Sequence, residues 1–218
     1  MVGCSSEIIY TFLNLCKNKK DDAMAVDKYI QTHKIDPTIQ YGNRNCQYAP
    51  FYAISANNLN VLKLLLEKYK CDLNWFNSRF MHHNVLLLAA KQNLTSIVQY
   101  LLETFSPQQL NLEMYDYSFD IDGYDHLKED IFGRGNGWEE FPPCYEPYKQ
   151  TSLFFAAYHQ NKEMCSLLIH AGASHKYIQH LYYSYMNGPQ RSELAGYEKI
   201  PPVWEFLEPI LLEREEGY

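Results

Sequence analysis

The sequence predicts an all-α solenoid of about four stacked helix pairs, with one long acidic insertion and capping helices at its C-terminal end. Three observations lead there. Three segments of the chain repeat one another, and self-similarity at a fixed spacing is the signature of a stacked array. Apolar residues inside those segments recur at helical spacing. Among the 218 residues 46% are hydrophobic and 21% charged, the balance of a chain that buries a core.

The elements follow in order. Residues 7–16 place Ile8, Ile9, Phe12, Leu13, Leu15 and Cys16 on one helical face, and residues 23–32 do the same with Met24, Val26, Tyr29 and Ile30. Ser5 or Ser6 is the expected N-cap of the first helix and Asp21 or Asp22 that of the second. Together they read as a diverged first repeat with a capping role, because one face of a terminal repeat meets water. The three clearer copies are residues 48–74 (YAPFYAISANNLNVLKLLLEKYKCDLN), 84–103 (NVLLLAAKQNLTSIVQYLLE) and 151–174 (TSLFFAAYHQNKEMCSLLIHAGAS). Each has a small residue or pair, a polar turn around Asn, and a leucine-rich amphipathic run: a helix, a turn and a second helix. Beyond them, residues 177–186 read as an aromatic helix, and Asn187, Gly188 and Pro189 as a turn. Pro201 and Pro202 begin the last helix, with Val203, Phe206, Leu207, Ile210 and Leu211 at helical spacing; Pro209 is expected to kink or interrupt it. The domain reading is a repeat domain over residues 1–174, holding an insertion at 112–148, and a helical cap over 175–218.

These residues resemble the ankyrin repeat. Thr151, Ser152, Leu153 and Phe154 stand where that family writes T-P-L-H, and Ala156 and Ala157 match its paired alanines. Leu167, Leu168 and Ile169 match its leucine triplet, and Ala171, Gly172, Ala173 and Ser174 its G-A-D ending. Ala89 and Ala90 with Ile97, Val98, Leu101 and Leu102 repeat the pattern. Ala53 with Val61, Leu62, Leu64, Leu65 and Leu66 repeats it again, with Pro50 one place late. Ala53 and Ala89 are 36 residues apart, one repeat of about 33 with a slightly long finger loop. Ala89 and Ala156 are 67 apart, but the intervening segment lacks a helix–turn–helix pattern and reads as an insertion.

The insertion carries the acidity of the whole protein. Residues 112–148 hold ten acids against Lys128 and Arg134, a local charge of −8, while the rest of the chain sums to +1. The same 37 residues hold nine aromatic rings. A solvated linker has no use for that many rings, so the segment is expected to pack on the array, on a partner, or on both. A net charge of −7 argues against nucleic acid as the partner, since that role wants a basic face. No apolar run approaches the ~18 residues of a membrane helix and no signal peptide is legible, so the expectation is a cytoplasmic chain with no membrane insertion. Glycine stands third instead of second, which disfavours myristoylation.

The same residues offer partial catalytic and metal-binding patterns. Residues 118–129 (SFDIDGYDHLKE) place Asp120, Asp122, Gly123 and Glu129 at positions of a calcium-loop template, but Ser118 and Asp125 depart from it. The glycines at 133, 135 and 137 lack the preceding strand and following Lys-Ser/Thr of a phosphate loop. His170, His175 and His180 recur every five residues, a spacing that spreads them around a helix. His82 and His83 fall in a finger loop. The six cysteines form no C-x-x-C pair and are expected to be mostly reduced and buried, Cys16 and Cys165 in the core, with Cys144 the one to be exposed. An enzyme with a catalytic or calcium-binding insertion loop is therefore the alternative reading, carried by Cys144 or by Asp120 and Asp122.

The favoured reading is a non-catalytic module, with no cofactor and no metal, that binds another protein through a concave face, its finger loops and the insertion. Candidate contacts are Tyr41 and Arg44 in one finger, Trp75, Phe76, Arg79 and Phe80 in the next, and Tyr124 and Trp138 in the insertion. Tyr, Trp and Arg dominate binding hot spots because they bury much area and still hydrogen-bond. The −8 segment implies a basic patch on the partner. Finally, the tail Leu212, Glu213, Arg214, Glu215, Glu216, Gly217 resembles the glutamate-rich C-termini of effectors exported by intracellular bacteria through type IV secretion, many of which carry ankyrin repeats. That resemblance implies action on a host protein in the host cytosol; a viral or protist source fits the same features.

Overall fold

Helix pairs follow one another as the repeats require, and a computed structural model describes residues 5–39, 41, 48–74, 76–77, 81–82, 84–116, 150–187 and 200–215. The first pair is α1 (Ser6–Cys16) and α2 (Ala23–His33), the second α3 (Ala49–Ser55) and α4 (Leu59–Lys63), which runs on through a π-helical turn at Leu64–Lys68. The third is α5 (Val85–Lys91) and α6 (Thr95–Thr104), followed by the single turn α7 (Pro107–Leu110). The fourth is α8 (Ser152–Tyr158) and α9 (Lys162–His170), and the cap is α10 (Lys176–Asn187) and α11 (Ile200–Glu215). Two short antiparallel ribbons complete the described residues. β1 (Phe76–Asn77) pairs with β2 (Met81–His82), and β3 (Tyr115–Asp116) with β4 (Gln150–Thr151), in the register Tyr115 to Thr151 and Asp116 to Gln150.

Local chemistry sets each boundary. Side chains of Ser5, Asp22, Asn84, Thr151 and Asn161 accept the N–H of Ile8, Ala25, Leu87, Phe154 and Met164, satisfying donors that a helix start leaves open. Ser106 and Gln109 close a reciprocal capping box on α7. The turn within each pair is marked by one left-handed residue: Asp21 (φ 50°), Asn57 (58°), Asn93 (58°) and Gln160 (53°). They are spaced 36, 36 and 67 residues apart, the spacing of the alanines. Those alanines anchor the turns as well: the carbonyls of Ala53, Ala89 and Ala156 accept the N–H of Asn58, Leu94 and Asn161 at 2.9, 3.0 and 3.0 Å.

Packing runs along the chain in one dimension. The leading helices stack in the order α1, α3, α5, α8, α11, and α9 lies on α6. Helix α8 packs directly on α5, so the third and fourth pairs are neighbours in the stack despite their separation in sequence. One continuous core joins the pairs, from Phe12 and Leu13 through Ile54, Leu65, Leu86, Ile97 and Leu101 to Phe154, Leu168 and Leu207. Each such side chain contributes roughly 2 kcal/mol by leaving water. Cys16, Cys71 and Cys165 lie inside it as free thiols, in accord with the expectation of buried, reduced cysteines.

Several expectations are corrected. Helix α11 runs on through the exposed Pro209, although proline has no N–H to offer the preceding turn, so the expected interruption does not occur. Leu112 and Met114, the first apolar residues of the segment read as the insertion, are buried. In the cap it is the second helix, α11, that covers α8 and α9, with α10 packed against α11. Trp204 of α11 is 2% exposed and stacks on Tyr182 with ring centroids 6.0 Å apart. Its indole N–H is the buried side-chain polar group without a partner among the described residues.

Candidate interaction surface

The repeat places equivalent side chains in rows along the leading helices. Tyr52, Leu88 and Phe155 each precede an anchor alanine by one residue, and Ser55, Lys91 and Tyr158 follow it by two. Ser55 and Tyr158 are exposed, Tyr158 by 46%; Tyr52, Leu88 and Lys91 are half-buried, and Phe155 is covered. Tyr158 stacks on Phe154 at 6.3 Å, and the Lys91 ammonium lies 5.8 Å from the centre of the Phe155 ring. Helices α3, α5 and α8 (APFYAIS, VLLLAAK, SLFFAAY) contain no carboxylate, so this row offers rings, aliphatic surface and a lysine.

Polar side chains bridge successive pairs and hold these rows in register. The Asn58 amide donates to the carbonyls of Cys16 and Asn18, both at 2.7 Å, and the Asp21 carboxylate accepts the N–H of Asn60 and Val61 at the start of α4. The Asn161 amide donates to Asn93 Oδ1 and Thr95 Oγ1 at 2.7 and 2.8 Å, and His159 Nε2 meets the Lys91 carbonyl at 2.9 Å. Asn84, wholly buried, donates to the Leu110 carbonyl at 2.6 Å, and Asn74 donates to the carbonyl of Gln109. On the trailing helices Asp27 accepts from Lys68 at 2.7 Å and from the Tyr69 hydroxyl at 2.6 Å. Those two bonds hold the Asp27 carboxyl below its ordinary range, while burial and then Asp27 itself push the Tyr69 phenol up to about 12.

The predicted contact residues fare unevenly. Tyr41 is half-buried, with its ring edge-on to Phe12 at 6.3 Å and its hydroxyl donating to the Asp36 carbonyl. The backbone of Phe76 lies in β1, so the finger is a paired ribbon. Arg44, Trp75, Arg79, Phe80, Tyr124 and Trp138 lie outside the described residues, as do Asp120, Asp122, Cys144, His83 and the glycines at 133–137. Of the surface rows, Tyr52, Ser55, Leu88 and Tyr158 escaped the sequence reading, although their fixed offset from Ala53, Ala89 and Ala156 was there to be aligned.

Among the described residues no three His, Cys, Asp or Glu side chains gather as a metal site. His170 Nδ1 meets the Ser166 carbonyl at 2.7 Å, His180 is exposed on α10, and His175 rests 6.4 Å from the Trp204 ring. Burial pushes the thiols of Cys71 and Cys165 up to about 12 and that of Cys16 higher still, which leaves these three protonated at neutral pH and poor nucleophiles. No described helix is long and apolar enough to cross a membrane.

Comparison with known families agrees with the geometry. A model of ankyrin repeats, in three copies, matches residues 12–113, the first three helix pairs. No curated protein matches the chain. The fold is an all-α ankyrin-repeat solenoid, and its fourth pair, beyond the matched span, is placed by the shared turn geometry and by stacking on the third.

Proposed function

We propose that this protein is a non-catalytic binding module that captures another protein on the face formed by its leading helices, with the finger loops and the acidic aromatic insertion adding selectivity. The observation that carries this reading is the row at Tyr52, Ser55, Leu88, Lys91 and Tyr158: repeat-equivalent positions where the core leaves apolar and hydrogen-bonding surface in reach of solvent. Rings at such positions bury large area at low entropic cost. Fingers bearing Arg44, Trp75, Phe76, Arg79 and Phe80 flank that row in sequence, and the −8 segment with Tyr124 and Trp138 favours a partner with a basic patch. The glutamate-rich tail supports a host-directed version of the same reading, which a translocation reporter carrying or lacking residues 212–218 tests directly.

The deciding experiment is affinity capture, followed by mass spectrometry, with four chains: wild type, Ser55→Glu, Tyr158→Ala, and a form lacking residues 117–149. A partner bound by wild type and weakened at least about tenfold by either surface substitution, at unchanged thermal midpoint, supports the leading-helix face. Loss confined to the shortened form moves recognition to the insertion. Identical partner lists for all four chains remove the proposal.

A further inference from the structure

We propose that the finger stems, where each finger loop leaves and rejoins the stack, are locked to one another through Tyr48, Asn84 and Glu113, so that the fingers meet a partner as one fixed row. The backbone closes a finger at its own neck: Val85 N–H donates to the Leu73 carbonyl at 3.0 Å, below the ribbon of β1 and β2. That bond does not fix one finger against the next. Side chains do. Tyr48 and Asn84 hold the same place in consecutive pairs, 36 residues apart, each as the residue before its leading helix. The Tyr48 hydroxyl donates to the Asp72 carbonyl at 2.9 Å and the Asn84 amide to the Leu110 carbonyl at 2.6 Å, reaching 24 and 26 residues along the chain. In both cases the donor stands where one finger ends and the acceptor where the chain sets out for the next.

Helix capping alone does not account for this pattern, because Tyr48 makes no side-chain cap bond and yet reaches the equivalent place. Both side chains are wholly buried, so water does not substitute for either partner. Two further contacts fall on the same line. Asn74, at the start of the finger holding β1, donates to the Gln109 carbonyl, and β2 lies against β3, the first strand of the following finger. At the fourth pair Thr151 caps α8 with a short hydroxyl, and the link passes to Glu113, whose carboxylate accepts the Ser174 N–H at 2.8 Å where that pair ends. The value of the row rests on the binding role proposed above: stems fixed beforehand lose little freedom on meeting a partner, which raises affinity without an added contact. The locking itself is a property of the chain alone, so its test needs no partner and holds or fails independently of that role.

Hydrogen exchange on the intact chain, read amide by amide, decides it. Asn84→Ala removes both the α5 cap and the link to Leu110, whereas Asn84→Thr restores the cap in the manner of Thr151 and is too short for the link. Threonine should therefore return α5 to wild-type exchange while amides of β1, β2 and β3 stay about fivefold faster than in wild type. Tyr48→Phe keeps the ring against Phe51 and removes the bond to Asp72, and should speed β1 and β2 by a similar factor while leaving β3 and β4 unchanged. Wild-type exchange of the strands in both Asn84→Thr and Tyr48→Phe, an acceleration confined to α5 in Asn84→Ala, or one shared equally by every helix, overturns the locking.

Discussion

Two junctions of the same solenoid differ in a way that connectivity would not suggest. The third and fourth pairs are separated by 67 residues from anchor to anchor, yet they pack on both rows, α5 with α8 and α6 with α9. The second and third pairs follow directly, 36 residues apart; α3 packs on α5 along the leading row, and along the trailing row Tyr100 donates to Glu67 at 2.8 Å. The two junctions differ in the side chains they bring. Helices α5 and α8 each bring an alanine pair, Ala89–Ala90 and Ala156–Ala157, all 0 or 1% exposed, so their backbones approach. Helix α3 has Ile54 after Ala53, and Tyr100 stands between the trailing helices. What governs the tightness of a stack is the residues at its contacts, and the length of chain between them hardly matters once the ends are held together.

The sharpest test of that contrast is Leu101→Ala. Leu101 is wholly buried in α6, beside the close junction, and truncating it should cost about 3–4 kcal/mol in chemical denaturation. A cost below about 1 kcal/mol would mean that the junction is less closely packed than its geometry implies. Next comes Asn58→Ala, which removes the bonds to the Cys16 and Asn18 carbonyls, the latter keeping the Asp21 N–H, and should cost about 2 kcal/mol, whereas Leu94→Asn, at the equivalent turn, should add an inter-pair bridge and slow exchange in α6. No cost from Asn58→Ala together with no slowing from Leu94→Asn would show that the amide bridges are incidental. Replacing residues 117–149 by an Asn-Gly turn between Asp116 and Gln150 should change stack stability by less than about 1 kcal/mol, since β3 and β4 already pair at that point and α8 rests on α5. A loss of several kcal/mol would assign the fourth pair's stability to the removed segment.

The smallest effect is electrostatic and belongs to the first junction. Asp27 has a folded pKa below its unfolded value, so its contribution is present above the unfolded carboxyl pKa of about 4 and fades as pH falls through the folded one. Tyr69 is shifted the other way: its contribution is present below the unfolded phenol pKa of about 10 and fades as pH rises toward 12. Asp27→Asn should therefore lower the thermal midpoint by no more than a few degrees near neutral pH and flatten the acid limb of its pH dependence. An unchanged acid limb would show that Asp27 titrates freely.

Much of this fold is legible in the residues themselves. Helical spacing and the recurring Ala, Asn and Leu locate the four pairs, the caps at Ser5 and Asp22, and the place where an insertion interrupts them. The π turn at Leu64–Lys68 is not legible, because Leu-Leu-Leu-Glu-Lys is ordinary helix sequence and the winding answers to neighbours. Asn84 caps α5, but its second role depends on the Leu110 carbonyl, 26 residues away, which no local pattern announces. The order of the cap helices was hidden for a similar reason, since α10 and α11 are both amphipathic. Candidate contacts were sought in fingers and insertion, where rings stand out by composition; Tyr52 and Tyr158 sit among alanines and leucines and look like core until the repeats are superposed.

The left-handed turn residues leave this protein with unused thermal headroom. At the turns within the four pairs the backbone adopts a conformation that glycine takes freely, and the chain supplies Asp, Asn, Asn and Gln. Asp and Asn tolerate it; Gln160 does so least, at something like 1 kcal/mol. A hardier version of the molecule is thus within reach of a single substitution at Gln160, two residues beyond Tyr158, so durability and recognition meet at that turn.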